Sequence, residues 1–277
     1  MSEQESKPLY EKNIYMALLA QQCSRYKEMF KYFEELIKQR EKEGKSKELT
    51  PQERELLAYG YITYINKQRH SLHICMAFET KEKKEYNSPI LTHIKDYRKK
   101  IETELNDNIQ SIINTLDSTL IKNSETNETK IFYLKLKGDL SRYIAEYEKG
   151  IIRDKAVSQG LKAYQDAMNL TKNMPIMDRN ILGLILNFSI FNYEVFGERK
   201  NAIAIGDECI KKVEKEMTSF DMDKSDENYD VIMDIINKIK HNVKVWKIEE
   251  DEQNIIFFSN KIFIKPYYYK NINIINN

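Results

Sequence analysis

Apolar residues recur along this chain at intervals of three and four, in long runs cut by short polar stretches. Tyr26, Met29, Phe30, Phe33 and Leu36 form one such stripe. It predicts a helix from about Ser24 to Lys42, after a first helix over Leu9 to Gln22. "GKSKEL" interrupts the pattern as a loop. "TPQE" then carries the clearest helix start, with Thr50 as N-cap, Pro51 at the first helical position and Glu53 three residues after the cap. In that arrangement the threonine hydroxyl and the glutamate carboxylate each satisfy a backbone N–H that the helix leaves unpaired. The helix is predicted to reach Glu79. "KEKKEYNSP" connects it to an amphipathic helix over Ile90 to Leu120, and "KNSETNETK" is a polar loop. The next helix, "KIFYLKLKGDLSRYIAE", runs from Lys130 and ends near Gly150. Further helices are expected over Asp154 to Lys172, Asp178 to Phe196, Lys200 to Met217 and Asp226 to Trp246.

The fold class is therefore all-α, a single domain of about nine antiparallel helices. Only 8 Gly and 5 Pro punctuate the 277 residues, too few for the turns of an all-β protein. No Pro/Gly-rich linker divides the chain, and no repeat of fixed period is present. The helical domain is expected over 1–247 and a C-terminal tail over 248–277. "KIEEDEQ" reads as a solvated acidic hinge. The segment after it, "NIIFFSNKIFIKPYYYKNINIINN", is atypically apolar for a tail, and its β-branched and aromatic content favours extended structure over helix. It packs on the domain, frays, or covers a groove.

Charge excludes several functions. With 44 basic and 43 acidic residues the net charge is +1, so no global field points to nucleic acid or to an anionic membrane. No apolar run is long enough to span a bilayer, and "MSEQESKPLYEKN" is too polar for a secretory signal. Cys23, Cys75 and Cys209 lie far apart without zinc spacing, which suggests reduced thiols and a cytoplasmic protein. His70, His73, His93 and His241 form no metal-ligand pattern, and neither "KLKGDL" nor "GERKNAIAIGDE" is a phosphate-binding glycine loop. No metal, no cofactor and no catalysis are expected.

One helical face asks for a ligand or a plain explanation. Lys135, Asp139, Arg142 and Glu146 share it, with Gly138 beside them and Tyr143 flanking Arg142. Taken alone, an arginine among acids at these spacings is a surface ion-pair network. The alternative is an anion site, which needs a second arginine from another helix. The guanidinium fork matches phosphate oxygens, and a tyrosine hydroxyl donates one more hydrogen bond.

"KIFYLKLKGDLSRYIAE" and "ILGLILNFSIFNYEV" resemble the signature segments of the 14-3-3 family of phosphoserine/phosphothreonine-binding adaptors. "LTPQERELLAYGYITYINKQRHS" is similar to that family's third helix, "LAQQCSRYKEM" and "YRKKIETEL" to its dimerisation helices, and "NKIKHNVKVW" to its last helix. The likeness runs from about Leu19 to Trp246. It implies a phosphate site at Arg69, Arg142 and Tyr143. Where the family has a lysine in that site this chain has Ile62, and His73 stands in place of a further basic residue. The resemblance also implies backbone-gripping asparagines at Asn187 and Asn242, polar groove positions at Lys135 and Glu194, and an apolar wall at Leu186, Ile190, Ile235 and Val245. Lys238 replaces a leucine, and Tyr59 a smaller apolar residue.

Helical geometry independently supports a concave groove. Ile62, Asn66, Arg69 and His73 share one face, and Gly183, Asn187, Ile190 and Glu194 another. An asparagine amide pairs with both N–H and C=O of an extended peptide. The resemblance further implies a homodimer, with Leu19, Cys23, Arg25 and Glu28 on one edge of the interface and Tyr97, Lys100 and Glu104 on the other. The expected function is a dimeric adaptor that clamps phosphorylated segments of partner proteins, weakened by Ile62. The alternative is a scaffold of the same fold that binds partners without needing phosphate.

Overall fold

The computed structural model describes residues 9–85, 88–219 and 229–260. Among the described residues there are nine α-helices, two π-helical stretches and no strand. The chain divides into two compact units, Met1–Pro175 and Ile176–Asn277.

The first unit holds α1 (Leu9–Gln22), α2 (Tyr26–Lys42), α3 (Pro51–Glu82), α4 (Leu91–Thr115), α5 (Asn127–Tyr147) and α6 (Gly150–Leu170). A π-helical stretch, Leu116–Leu120, continues α4. The stripe seen in the sequence is the buried face of α2, where Met29, Phe33 and Leu36 are sealed from solvent. They join Leu57, Ile65 and Leu72 of α3, Leu105 and Ile109 of α4, and Tyr133 and Leu140 of α5 in the buried interior. The capping box at the start of α3 is present. Glu53 N donates to Thr50 Oγ1 at 3.4 Å and Thr50 N to Glu53 Oε2 at 2.9 Å. The same buried carboxylate receives Arg40 of α2 at 2.8 and 2.9 Å, while Arg40 also donates to the Glu48 carbonyl at 2.7 Å. One ion pair thus locks α2, the loop and the cap together.

The second unit holds α7 (Arg179–Ile190), α8 (Arg199–Ser219) and α9 (Tyr229–Asn260). Asp178 caps α7 by accepting from the backbone N–H of Asn180 and Ile181 at 2.8 and 3.0 Å. α7 runs on into a π-helical stretch, Phe191–Phe196, which ends at Gly197 with φ +87°. Fully buried Asn192 satisfies its amide there by donating to the Phe188 carbonyl at 2.8 Å and accepting from Asn201 at 3.1 Å. Tyr193 stacks on Trp246 at 4.6 Å, and this pair packs with Ala202, Ile190 and Ile203.

Two sequence expectations need correction. α6 begins at Gly150 rather than Asp154, because Gly150 takes φ +57° and turns the chain directly into the next helix. "KIEEDEQ" is not a hinge, and the residues to Asn260 are helical rather than extended, since α9 passes through the whole acidic run. Three contacts within the unit hold that extension. Tyr193 donates to Glu249 at 2.7 Å, Lys247 to Asp207 at 2.8 Å, and Arg199 lies 3.8 Å from Glu250. The tail's remaining residues, 261–277, and the expected start of the last helix at Asp226 lie outside the described residues.

Candidate functional site: an arginine pair around one carboxylate

The site in the first unit is built on a close approach. A Cβ placed on Gly138 would lie 2.7 Å from the ring of Tyr164, so only glycine lets α6 come this near α5. The Tyr164 hydroxyl then reaches Asp139 Oδ1 at 2.6 Å, and Lys135 Nζ donates to Asp139 Oδ2 at 2.9 Å. One turn further along, Arg142 Nη1 donates to Glu146 Oε1 at 2.6 Å. Both lysine and arginine pairs are i,i+4 contacts, as the ion-pair reading expects.

The second arginine is also there. Arg69 of α3 donates through Nη2 to the other oxygen of Glu146, and through Nη1 to Asn66 Oδ1 at 3.1 Å. Its guanidinium lies 3.9 Å from the centre of the Tyr143 ring, and that of Arg142 lies 4.9 Å from it. Two planar cations from different helices thus flank one phenol and share one carboxylate. Arg142 Nε is buried and has no hydrogen-bond partner among the described residues.

Electrostatics keep these groups in the forms that bind anions. Burial works against the Arg142 charge, but Tyr164, Asp139 and Glu146 around it more than offset that, and its pKa is raised. Burial, with Asp139 nearby, pushes the Tyr143 phenol up, so its hydroxyl remains a donor at neutral pH. Ile62 is half-buried on α3, and His73 and Tyr59 are exposed. The cluster therefore offers two arginines and a lysine, each already facing an acid.

The remaining groove candidates belong to the second unit. α7 carries Leu186, Asn187 and Ile190, all half-buried, and its π continuation carries exposed Glu194. α9 carries half-buried Ile235, Asn242 and Val245. Lys238 is exposed and pairs with Asp234 at 2.6 Å.

The expected dimer residues lie on open surface of the first unit. Leu19, Cys23 and Tyr97 are exposed, as are Lys100 and Glu104. Arg25 and Glu28 engage each other within the chain, Arg25 Nε donating to Glu28 Oε2 at 2.7 Å. The larger part of this surface lies outside the expected interface positions. Tyr15 and Leu18 of α1 are exposed beside Leu19, and Ile74, Phe78 and Ile90 are exposed near Tyr97. Cys75, Phe78, Ile90, Ile94, Tyr97 and Ile101 line an apolar groove of about 690 Å³ between α3 and α4. The available signal was the i,i+4 pair Ile74 and Phe78, which lies off the face that Leu72 and Cys75 bury. Sequence reasoning also named Glu146 on the α5 face without seeing that it joins two arginines.

Among the described residues no cluster of His, Cys, Asp and Glu is arranged to hold a metal, and no helix is long and apolar enough to cross a membrane. The family model for the 14-3-3 protein matches residues 16–247. The chain is 36% identical over 243 residues to the 14-3-3-like protein B of Hordeum vulgare, covering 87% of this chain and 90% of the barley protein. It is 36% identical to the 14-3-3-like protein GF14-E of Oryza sativa subsp. japonica, over 87% of this chain and 90% of the rice protein. Against the 14-3-3-like protein GF14 nu of Arabidopsis thaliana the identity is 35%, over 88% and 89%. With its all-helical architecture and these matches over most of its length, the chain belongs to the 14-3-3 family.

Proposed function

We propose that this protein is an adaptor that clamps phosphoserine or phosphothreonine segments of partner proteins and carries out no bond chemistry. One observation carries the reading. Arg69 and Arg142 reach the same point from separate helices, around the phenol of Tyr143, and already hold an anion there in the form of Glu146. A surface ion-pair network on α5 alone does not call for the arginine of α3. Fork-shaped donors in pairs are the chemistry of phospho-motif recognition. Asn187 and Asn242 would grip the ligand backbone, with Leu186, Ile190 and Ile235 as apolar wall and Lys135 and Glu194 as further polar contacts.

The exposed apolar residues Tyr15, Leu18 and Leu19 of α1 and the groove at Phe78 and Tyr97 support a homodimer. Two sites per dimer would raise affinity for doubly phosphorylated partners through effective concentration. Ile62 favours a second reading, a scaffold whose phosphate affinity is too low to matter. Fluorescence anisotropy with one peptide in phosphorylated and unphosphorylated forms separates the two. Tighter binding of the phosphorylated form, lost in Arg142→Ala, supports the clamp. Equal binding of both forms supports the scaffold.

A further inference from the structure

Glu146 has a position that its i,i+4 spacing does not require. One oxygen is taken by Arg142, from its own helix, and the other by Arg69, from α3. A carboxylate so placed has exchanged a simple helix pair for the centre of the arginine cluster. Lys135 is neutralised in the same way by Asp139, which Tyr164 also holds. Local charge is therefore reduced before any ligand arrives: the arginines bring two positive charges, Glu146 removes one, and the Lys135–Asp139 pair adds none, which leaves a single positive charge. Ile62 brings no charge where an ammonium would tip the balance.

We propose that Glu146 is the resident competitor of the anion site, a tethered carboxylate that every ligand must displace from Arg69 and Arg142. The ligand is taken from the phosphate reading of this site, on which the proposal rests. A side chain held on the same helix competes at an effective concentration in roughly the millimolar range or above. A carboxylate from an acidic peptide would only exchange one pair of oxygens for another, with no gain in contacts or charge. Phosphate differs in two ways. It carries about −1.5 to −2 charges, and it has three terminal oxygens. The third can meet a donor that the two oxygens of Glu146 leave over, since Arg142 holds Glu146 through Nη1 and Arg69 through Nη2, and each guanidinium carries five N–H donors. The resident carboxylate thus sets a threshold that a phosphate can pass and an aspartate or glutamate cannot.

The sign of one substitution separates this role from a merely structural one. If Glu146 served only to orient the arginines, Glu146→Gln would weaken anion binding. As a competitor, its neutralisation strengthens it. The same peptide should be titrated with phosphoserine, glutamate or serine at the anchor position, against the parent and Glu146→Gln. Inorganic phosphate should be titrated in parallel, read by the thermal midpoint. Glu146→Gln is expected to bind the phosphoserine peptide about tenfold tighter, the equivalent of one charge-assisted contact. It should also make the glutamate peptide measurable where the parent shows none, and gain a larger upward shift of midpoint with inorganic phosphate. Stabilisation of Glu146→Gln over the parent by inorganic phosphate, with no peptide bound by either, would keep the competitor and overturn the phosphopeptide reading. Unchanged or weaker binding of both phosphate and phosphopeptide in Glu146→Gln and in Glu146→Ala would overturn the competitor itself.

Discussion

The guanidinium carbon of Arg69 lies over the Tyr143 ring, 3.9 Å from its centre. A planar, weakly hydrated cation can stack in this way and still donate at its edge, whereas an ammonium cannot do both. Arg69→Lys keeps the charge but loses the stack and the second donor to Asn66. The expected outcome is a loss of about tenfold in phosphopeptide affinity, of the order of one charge-assisted hydrogen bond, with the thermal midpoint little changed. Calorimetry on the variant checks it, and affinity equal to the parent's would show that charge alone suffices.

Gly138 and Tyr164 make a second testable contact. The ring sits 2.7 Å from where a Cβ would stand, is fully buried, and is tied by its hydroxyl to Asp139. It has nowhere to move without breaking that bond. Gly138→Ala should therefore destabilise the fold by roughly 1–3 kcal/mol, the usual cost of overpacking, despite alanine's better helix propensity. Denaturant unfolding measures this, and a variant as stable as the parent would mean that α6 can draw back freely.

Helix existence was legible in the sequence because it rests on local period and caps. Thr50 and Glu53 are three residues apart, and their box forms as the spacing predicts. The end of α9 was illegible for the opposite reason. Its acidic run looks like a solvated break, but the groups that hold it, Tyr193 and Asp207, lie 56 and 40 residues away in the chain. The candidate site was legible only in part. Arg142, Tyr143 and Glu146 share a short segment, whereas Arg69 is 77 residues from Glu146. No spacing rule joins them, and only the family likeness brought Arg69 into consideration. That likeness could not show a carboxylate standing between the arginines, since this depends on how α3 and α5 meet.

The buried carboxylate of Glu79 gives the fold a defined acid dependence. Lys83 and Arg98 donate to it, and their hydrogen bonds hold its pKa below the ordinary value of about 4.5. A depressed carboxylate contributes stability that is fully present above the unfolded value and is lost as pH falls through the folded one. The thermal midpoint of the parent should thus exceed that of Glu79→Gln at pH 7, and the gap should narrow as pH falls below the ordinary carboxylate value and close once it has passed the lowered one. A gap that stays constant down to pH 3 would show that the pairing contributes nothing.

The open apolar surface on the first unit predicts association. Phe78 is 57% exposed and Tyr97 61% exposed, on either side of the groove between α3 and α4, while Tyr15 on α1 is 63% exposed. Phe78→Asp places a charge in that groove without touching the core. Arg25→Glu with Lys100→Glu reverses both expected charged edges. Each change should shift sedimentation toward the monomer with helicity retained. A parent that is monomeric at micromolar concentration would refute both the interface and bivalent capture.

Ile62 offers the most direct gain-of-function test. It lies two helical turns before Arg69 on α3, half-buried, on the face that also carries Asn66. With isoleucine there, the cluster meets a phosphate of about −1.5 to −2 charges with two guanidiniums and a phenol, one ammonium fewer than the family pattern. One charge-assisted contact is worth roughly 1.5–3 kcal/mol, or about ten- to a hundredfold in affinity. Lys135 lies on the neighbouring helix face but is already committed to Asp139, so it compensates only in part. Ile62→Lys should therefore bind a phosphopeptide at least about tenfold tighter than the parent, with a steeper salt dependence. The fold should tolerate the change, because a lysine stem can lie along the apolar surface that isoleucine now covers and extend its ammonium outward. Calorimetry of both forms with one phosphopeptide decides the matter. If the lysine variant gains nothing while its helicity and thermal midpoint match the parent's, then position 62 does not face the anion, or this surface no longer serves phosphate.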